Sequence, residues 1–425
     1  MNQFPTVRLI ATLMTSAFVL MTSCSHSPEG SPTAADILGN PNYQAISYGG
    51  YRTTSRDTVP SVDQIKDDMR ILSAMDVKIL RTYNTELAEL PNLLQAISEL
   101  KQEDSSFEMY LMVGAWINCK DAFTDNPDHT QEDEVYNEDE VQRAVQYSQQ
   151  YPDIIKMIAV GNEAMVHWAA NYFVPPSVIL KWVNYLQDLK TKGDLPSDLW
   201  ITSSDNFASW GGGDAAYHNE DLDNLIKAVD YVSVHTYPFH DTHYNKEFWE
   251  VSQQNSQNKV IDELIDDAMK LARDYAISQF TRVKDYVSDL GIINKPVHIG
   301  ETGWATVSSG FYGRNGSQAA DEYKAKKYYD YLRQWSNENG VSCFYFEAFD
   351  EPWKDAENPM GSENHFGLFT VDEKAKYALW SSVDKGIFSG MTRNGNTIEK
   401  TFKGNENKLL ASVLPPIAPQ KDTNK

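Results

Sequence analysis

Short apolar runs alternate with longer amphipathic stretches along most of the chain. Eight runs carry the aliphatic and β-branched content of strands: Gln44–Tyr48, Val77–Thr82, Glu108–Val113, Ile155–Val160, Leu199–Ser203, Tyr231–His235, Val297–Gly300 and Ser342–Phe346. Several are nearly continuous in apolar residues, the pattern of strands covered on both faces. The segments between them, such as Ser61–Met75 and Asp321–Glu338, repeat apolar residues at helical spacing. Strands alternating with helices predict βα units on a parallel sheet, and eight such units favour a closed (β/α)8 TIM barrel over an open doubly wound sheet. No internal sequence repeat is visible. Two connections are long: Asn118 to Asp139 after the third strand, which is acidic, and Phe239 to Asp262 after the sixth, with His240, His243, Tyr244, Phe248 and Trp249. Both follow strand C-termini, the rim where barrel enzymes bind substrate.

The ends of the chain break this pattern. Arg8 precedes a short apolar run, Leu9 to Thr22, which is brief for a bilayer span and ends in Met21-Thr22-Ser23-Cys24. That pattern resembles a bacterial lipoprotein signal, so residues 1–23 are expected to be removed and Cys24 lipidated. Residues 24–40, rich in Ser, Pro, Gly and Ala, read as a tether. Residues 41–409 form a single (β/α)8 catalytic domain, and 410–425 a mobile tail. The expected location is the bacterial cell envelope, with membrane contact through the lipid anchor alone. Ser25, in place of an aspartate, favours the outer membrane of a Gram-negative source.

Composition narrows the partners. Sixty acidic against 37 basic residues give a net charge of −23, which opposes nucleic acid and anionic membrane but not a neutral polysaccharide. Apart from Cys24, only Cys119 and Cys343 remain, too few for a disulfide framework, and free buried thiols are expected. A monomer is expected. The 10 Trp, 23 Tyr and 17 Phe supply both core and flat sugar-binding faces.

Carboxylates stand just past two of the apolar runs. The fourth strand ends in Val160-Gly161-Asn162-Glu163-Ala164, and the seventh in Ile299-Gly300-Glu301-Thr302-Gly303-Trp304. Strands four and seven face each other across a barrel mouth. Their carboxyl groups can therefore approach to the ~5–5.5 Å that favours nucleophilic attack at an anomeric carbon. One carboxyl must stay protonated to release the leaving group, and the other ionised to attack. Glu163 is assigned as acid/base and Glu301 as nucleophile. Asn162 is placed to donate to a sugar 2-hydroxyl, and Arg81 to hold the nucleophile ionised. Tyr48, Tyr83, Trp304 and Trp353 read as core aromatics on their own, and become candidate sugar platforms with the family resemblance that follows.

The pair "VGNEA" and "IGETGWA" resembles glycoside hydrolase family 17, the β-1,3-glucanases and glucanosyltransferases. "ISYGGYR" (46–52), "LRTYNT" (80–85), "VSVHTYPF" (232–239), "FYFEAFDEPWK" (344–354) and "ENHFGLF" (363–369) are similar to its other strands, so the likeness covers residues 43–385. It implies that Tyr237 positions the nucleophile and that Glu351 and Lys354 line the site. Pro352 after Glu351 and Ala305 after "ETGW" depart from the family pattern.

His235, His298 and His365 read as structural, since no metal-binding spacing is present, and "SWGGGD" (209–214) lacks the context of a phosphate-binding loop. No cofactor and no metal are implied. The resulting expectation is retaining hydrolysis of a β-1,3-glucan of laminarin type through a covalent glycosyl-enzyme. A β-1,3-glucanosyltransferase using the same pair is the main alternative. A silent glucan-binding lipoprotein and a β-1,4-glucan or mannan barrel are weaker ones.

Overall fold

A computed structural model describes residues 30–249 and 260–416. Cys24, with the leader, and the end of the tail lie outside these residues. Eight parallel strands close into a barrel: β1 (Gln44–Ser47), β2 (Val77–Arg81), β3 (Tyr110–Ala115), β4 (Ile155–Asn162), β5 (Trp200–Asn206), β6 (Val232–His235), β7 (Val297–Gly303) and β8 (Cys343–Phe346). Closure runs through β1 and β8, with Ile46 opposite Tyr345. The expected (β/α)8 architecture is therefore the one observed.

A helix follows each strand: α1 (Val62–Ala74), α2 (Glu89–Glu103), α3 (Glu134–Gln150), α4 (Pro176–Lys192), α5 (Glu220–Ala228), α6 (Ile261–Asp289), α7 (Glu322–Glu338) and α8 (Trp380–Asp384). Local chemistry fixes their starts. Ser61 and Gln64 close a capping box on α1, and Asp321 accepts the Lys324 N–H at the start of α7. The apolar stripes of these helices pack on the outer face of the sheet in one large core.

Strand ends run past the sequence expectation. β4 continues to Asn162 and β5 to Asn206, because Asn162 pairs with Ser204 and Asn206 with His235. Polar residues end an apolar run but not a hydrogen-bonded ladder. The acidic connection is also more ordered than a solvated loop. Cys119–Lys120 pairs antiparallel with Asp128–Glu132, and α3 already begins at Glu134. The connection after β6 opens with a short helix, Pro238–Tyr244, whose Phe239 is buried.

The barrel interior is split along its axis. Its N-terminal end is apolar, built from Ala45, Ile79, Met112, Met157, Tyr231 and Phe344. Its C-terminal end carries Arg81, Ser204, Ser233, His235 and Glu301, all buried. The apolar end needs a cover, and residues read as tether supply it. Thr33 caps the helix Ala34–Ile37, whose Ala34 and Ile37 are fully buried with Leu38 against that inner core. Gly39 donates to Ser342 Oγ at 2.8 Å. Residues 33–39 thus belong to the folded body, because the open barrel end would otherwise expose its apolar floor. At the other terminus the Leu414 carbonyl accepts from Lys324 Nζ at 2.8 Å, so the start of the segment read as tail is docked.

If Ile37 closes the barrel floor, Ile37→Ala should cost about 2–5 kcal/mol in denaturant unfolding. A residue of a loose tether would cost nothing measurable.

Candidate active site

The polar end of the barrel holds both strand-end glutamates. Glu163 follows β4 with a left-handed backbone, φ 45°, directly after Gly161 at φ 80° and Asn162. For a residue with a Cβ this conformation costs of order 1–3 kcal/mol and must be held by its surroundings. β5 does the holding: the Glu163 N–H donates to the Ser204 carbonyl at 3.0 Å, and the Met165 N–H to Asp205 Oδ2 at 2.8 Å. Asp205 is buried, which pushes its carboxyl up to about 6 even though Met165 and Ser209 donate to it. Sequence reasoning missed Asp205, although its position in "SSDN" at the end of an apolar strand was a visible signal.

Glu301 sits on β7 among three donors, with His235 close by. Tyr237 donates to Oε1 at 2.6 Å, Tyr83 to Oε2 at 3.1 Å and Arg81 to Oε2 at 2.5 Å. His235 Nε2 lies 4.0 Å away. Burial alone raises the Glu301 carboxyl, but His235, Arg81, the Tyr237 hydroxyl and Lys354 outweigh it and hold it down at about 2. Glu301 is therefore an anion throughout the neutral range.

Arg81 also donates to the Gly300 carbonyl at 2.9 Å and to Asn162 Oδ1 at 2.5 Å. With its amide oxygen taken, Asn162 presents its NH2 as the free end, a donor only. His235 is more than structural. Its Nδ1 lies 3.0 Å from Glu163 Oε1 and its Nε2 2.8 Å from Ser204 Oγ, so one buried ring touches the acid/base and neighbours the nucleophile. Gly300 makes room for this network, since a Cβ there would fall 2.0 Å from Ser233 Oγ and 2.5 Å from Ser204 Oγ. His298 and His365 stay structural: His298 Nδ1 accepts the Ser342 N–H, and His365 pairs with Asp350. Among the described residues no group of His, Cys, Asp and Glu is arranged to hold a metal ion. Cys119 and Cys343 are separate buried thiols.

A cleft of about 450 Å³ opens over Glu301, within the size range of small-molecule sites. Tyr48, Tyr83, Asn162, Glu351, Trp353 and Lys354 line it as expected. Lys354 Nζ lies 3.0 Å from Glu351 Oε2 and 3.4 Å from Glu347 Oε2, and the Trp353 indole donates to Glu351 at 3.0 Å. Tyr48 contributes little open surface, being 1% exposed with its hydroxyl donating to Asp68. Trp304 is not a platform. It is fully buried behind β7 against Phe239, Trp249 and Tyr328, its indole donating to the Ala319 carbonyl at 2.8 Å. The aromatic wall comes instead from Trp116, Phe123, Tyr136 and Tyr172, which the sequence did not single out. Trp116 and Phe123 both pack on Tyr172, at 5.0 and 5.5 Å between ring centroids. The acidic connection after β3 thus does reach the cleft.

Two glutamates joined through His235, one ionised in an aromatic cleft and one on a strained turn, are the equipment for splitting a glycosidic bond. The sequence profile of the BtgE/BtgC glycoside hydrolase domain matches residues 45–367. The chain belongs to this family. The resemblance to family 17 is thereby borne out. The chain is 27% identical over 312 residues to the putative glucan endo-1,3-beta-glucosidase btgC of Aspergillus niger, covering 72% of this chain and 37% of that one. The chain thus spans about two fifths of the length of these fungal relatives. An endo-laminarinase from Formosa Hel1_33_131 superposes with a TM-score of 0.89 at 61% identity, covering 93% of this chain and all of that one. A Rhizomucor miehei β-1,3-glucanosyltransferase shares the fold at 19% identity and TM-score 0.54, covering 79% of this chain and 96% of that one.

The Tyr237 hydroxyl tests this electrostatic reading. Tyr237→Phe keeps the ring and removes a charge-assisted bond of about 1.5–3 kcal/mol, so the rate should fall roughly ten- to a hundred-fold. Without that donor the Glu301 carboxyl rises, and the acidic limb of the pH–rate profile moves upward. An unmoved limb with a lowered melting temperature would make Tyr237 a packing residue instead.

Proposed function

We propose that this protein hydrolyses β-1,3-glucan of laminarin type with retention of configuration, through a covalent glycosyl-enzyme on Glu301. The observation that carries this reading is Glu301 held ionised by Arg81, Tyr237 and Tyr83, beside a Glu163 that shares His235 with it. The names of the fungal relatives and of the Formosa endo-laminarinase support the substrate and an endo mode of attack. In the first step Glu163 gives its proton to the glycosidic oxygen while a Glu301 oxygen bonds to the anomeric carbon. The leaving chain departs as an alcohol, and the glycone remains as an ester. In the second, Glu163 takes a proton from water, whose oxygen displaces Glu301 and restores both carboxyls. The Asn162 amide donates to the sugar 2-hydroxyl, where hydrogen bonds strengthen in the transition state.

Glu301→Ala should abolish turnover, and added azide should then yield a glycosyl azide of inverted configuration. Glu163→Ala should lower laminarin hydrolysis about a hundred- to ten-thousand-fold and spare aryl glycosides with good leaving groups. Equal loss on both substrates would overturn the roles. Products longer than the donor in a laminari-oligosaccharide time course would favour the glucanosyltransferase reading.

We also propose that the protein acts as a monomer held at the bacterial envelope by a lipid on Cys24. The apolar run ending at Met21-Thr22-Ser23-Cys24 supports this. Cys24→Ser should release the protein from the detergent-extracted membrane fraction with activity on soluble glucan unchanged. Unaltered partitioning would sink the anchor.

A further inference from the structure

The part of the cleft built by β1, α2 and the segment after β8 holds carboxyls that this chemistry does not use. Past β1 the chain reads Tyr48-Gly49-Gly50-Tyr51. The glycines let two carboxyls close on the backbone: a Cβ on Gly49 would lie 1.9 Å from Glu351 Oε1, and one on Gly50 2.9 Å from Glu89 Oε1. The Gly50 N–H donates to that Glu89 oxygen.

Arg56 lines this region with its guanidinium 4.3 Å over the Trp353 ring, and the other cations are committed to carboxylates. Arg52 and Arg393 pair with Asp68 at 2.9 and 2.8 Å, and Lys354 with Glu351 at 3.0 Å. Among the described residues no Lys or Arg pairs with Glu89, and its Oε2 has no hydrogen-bond partner. Glu89 lines the cleft, as do Tyr51, whose buried hydroxyl is also unpartnered, and Trp353.

The charged groups around Glu89 are Glu351 after β8, Asp68 on α1 and Arg52 after β1, with the phenols of Tyr48 and Tyr51. Its place in the first turn of α2 favours an anion. Burial and the Glu351 carboxylate win against that, against the Gly50 N–H and against Arg52, and raise the Glu89 carboxyl to about 8. The same cleft holds Glu301, so a sugar chain bound there reaches this region.

We propose that Tyr51, Glu89 and Trp353 form a sugar subsite of this cleft in which Glu89, as a neutral acid, donates a hydrogen bond to a hydroxyl of an uncharged glucosyl unit. The proposal rests on the glucanase reading and makes Glu89 a specificity-determining residue within it. An ionised Glu89 loses the donor, so binding weakens as pH rises through about 8.

The test measures kcat and KM of the full chain on laminari-oligosaccharides of increasing length at pH 6 and pH 9, for wild type, Glu89→Gln and Glu89→Ala. Gln keeps an N–H donor and cannot ionise; Ala removes the group. At pH 6, Glu89→Ala should raise KM about three- to ten-fold on the longer oligosaccharides with kcat little changed, while Glu89→Gln stays near wild type. At pH 9 the wild-type KM should rise and that of Glu89→Gln should not. Equal KM for Gln and Ala at pH 6, or one pH dependence shared by wild type and Gln, would overturn the proposal. Thermal melts of both variants separate lost binding from lost folding. Wild-type protein that turns over none of these oligosaccharides would instead overturn the glucanase reading beneath it.

Discussion

The site depends on one buried cation. Arg81 is 1% exposed, and an unpaired charge at that depth would cost several kcal/mol. It is tolerated because Glu301, the Gly300 carbonyl and Asn162 accept from it, and because it lies 4.7 Å over the Tyr83 ring. The reverse also holds, since Glu301 could not stay ionised in the barrel mouth without a partner. One side chain from β2 therefore helps His235 hold the charge of a residue on β7 and fixes the orientation of an amide on β4. Only a closed barrel brings those three strands within reach of a single guanidinium.

Much of this chemistry was legible. Glu163 and Glu301 announced themselves as carboxylates just past apolar runs, and barrel geometry makes strand ends the place to look. The (β/α)8 fold followed from eight alternations of period. What stayed hidden has physical reasons. Trp304 reads as a platform from its closeness to Glu301, yet side chains alternate along a strand. Three positions beyond an inward-facing Glu301, it belongs on the helix side and is buried there. Trp116, Tyr136, Tyr172 and Glu89 come from three different βα units, and no local pattern tells which of these meet. His235 was legible as a buried polar residue, but its bridging place depends on how far β4 and β7 extend, and both run beyond their apolar cores.

The two ends of the barrel interior divide stability from function. Packed aliphatic residues at the base need no partner beyond their own shape. Arginine, histidine, serines and carboxyls at the mouth each require one, so a change there propagates through shared hydrogen bonds. The strained turn at Glu163 belongs to the same economy. Contacts from β5 hold a backbone that its own sequence would not choose, and the acid/base gains a fixed direction from it.

The helix Ala34–Ile37 gives the molecule a polarity as well as a floor. Because it seals the barrel end opposite the cleft, the chain before it departs from the base of the barrel. Whatever is joined to the protein through its N-terminal segment, whether a lipid or another support, therefore holds it by its closed end. The open mouth then faces away from that support, free of whatever crowds the closed end.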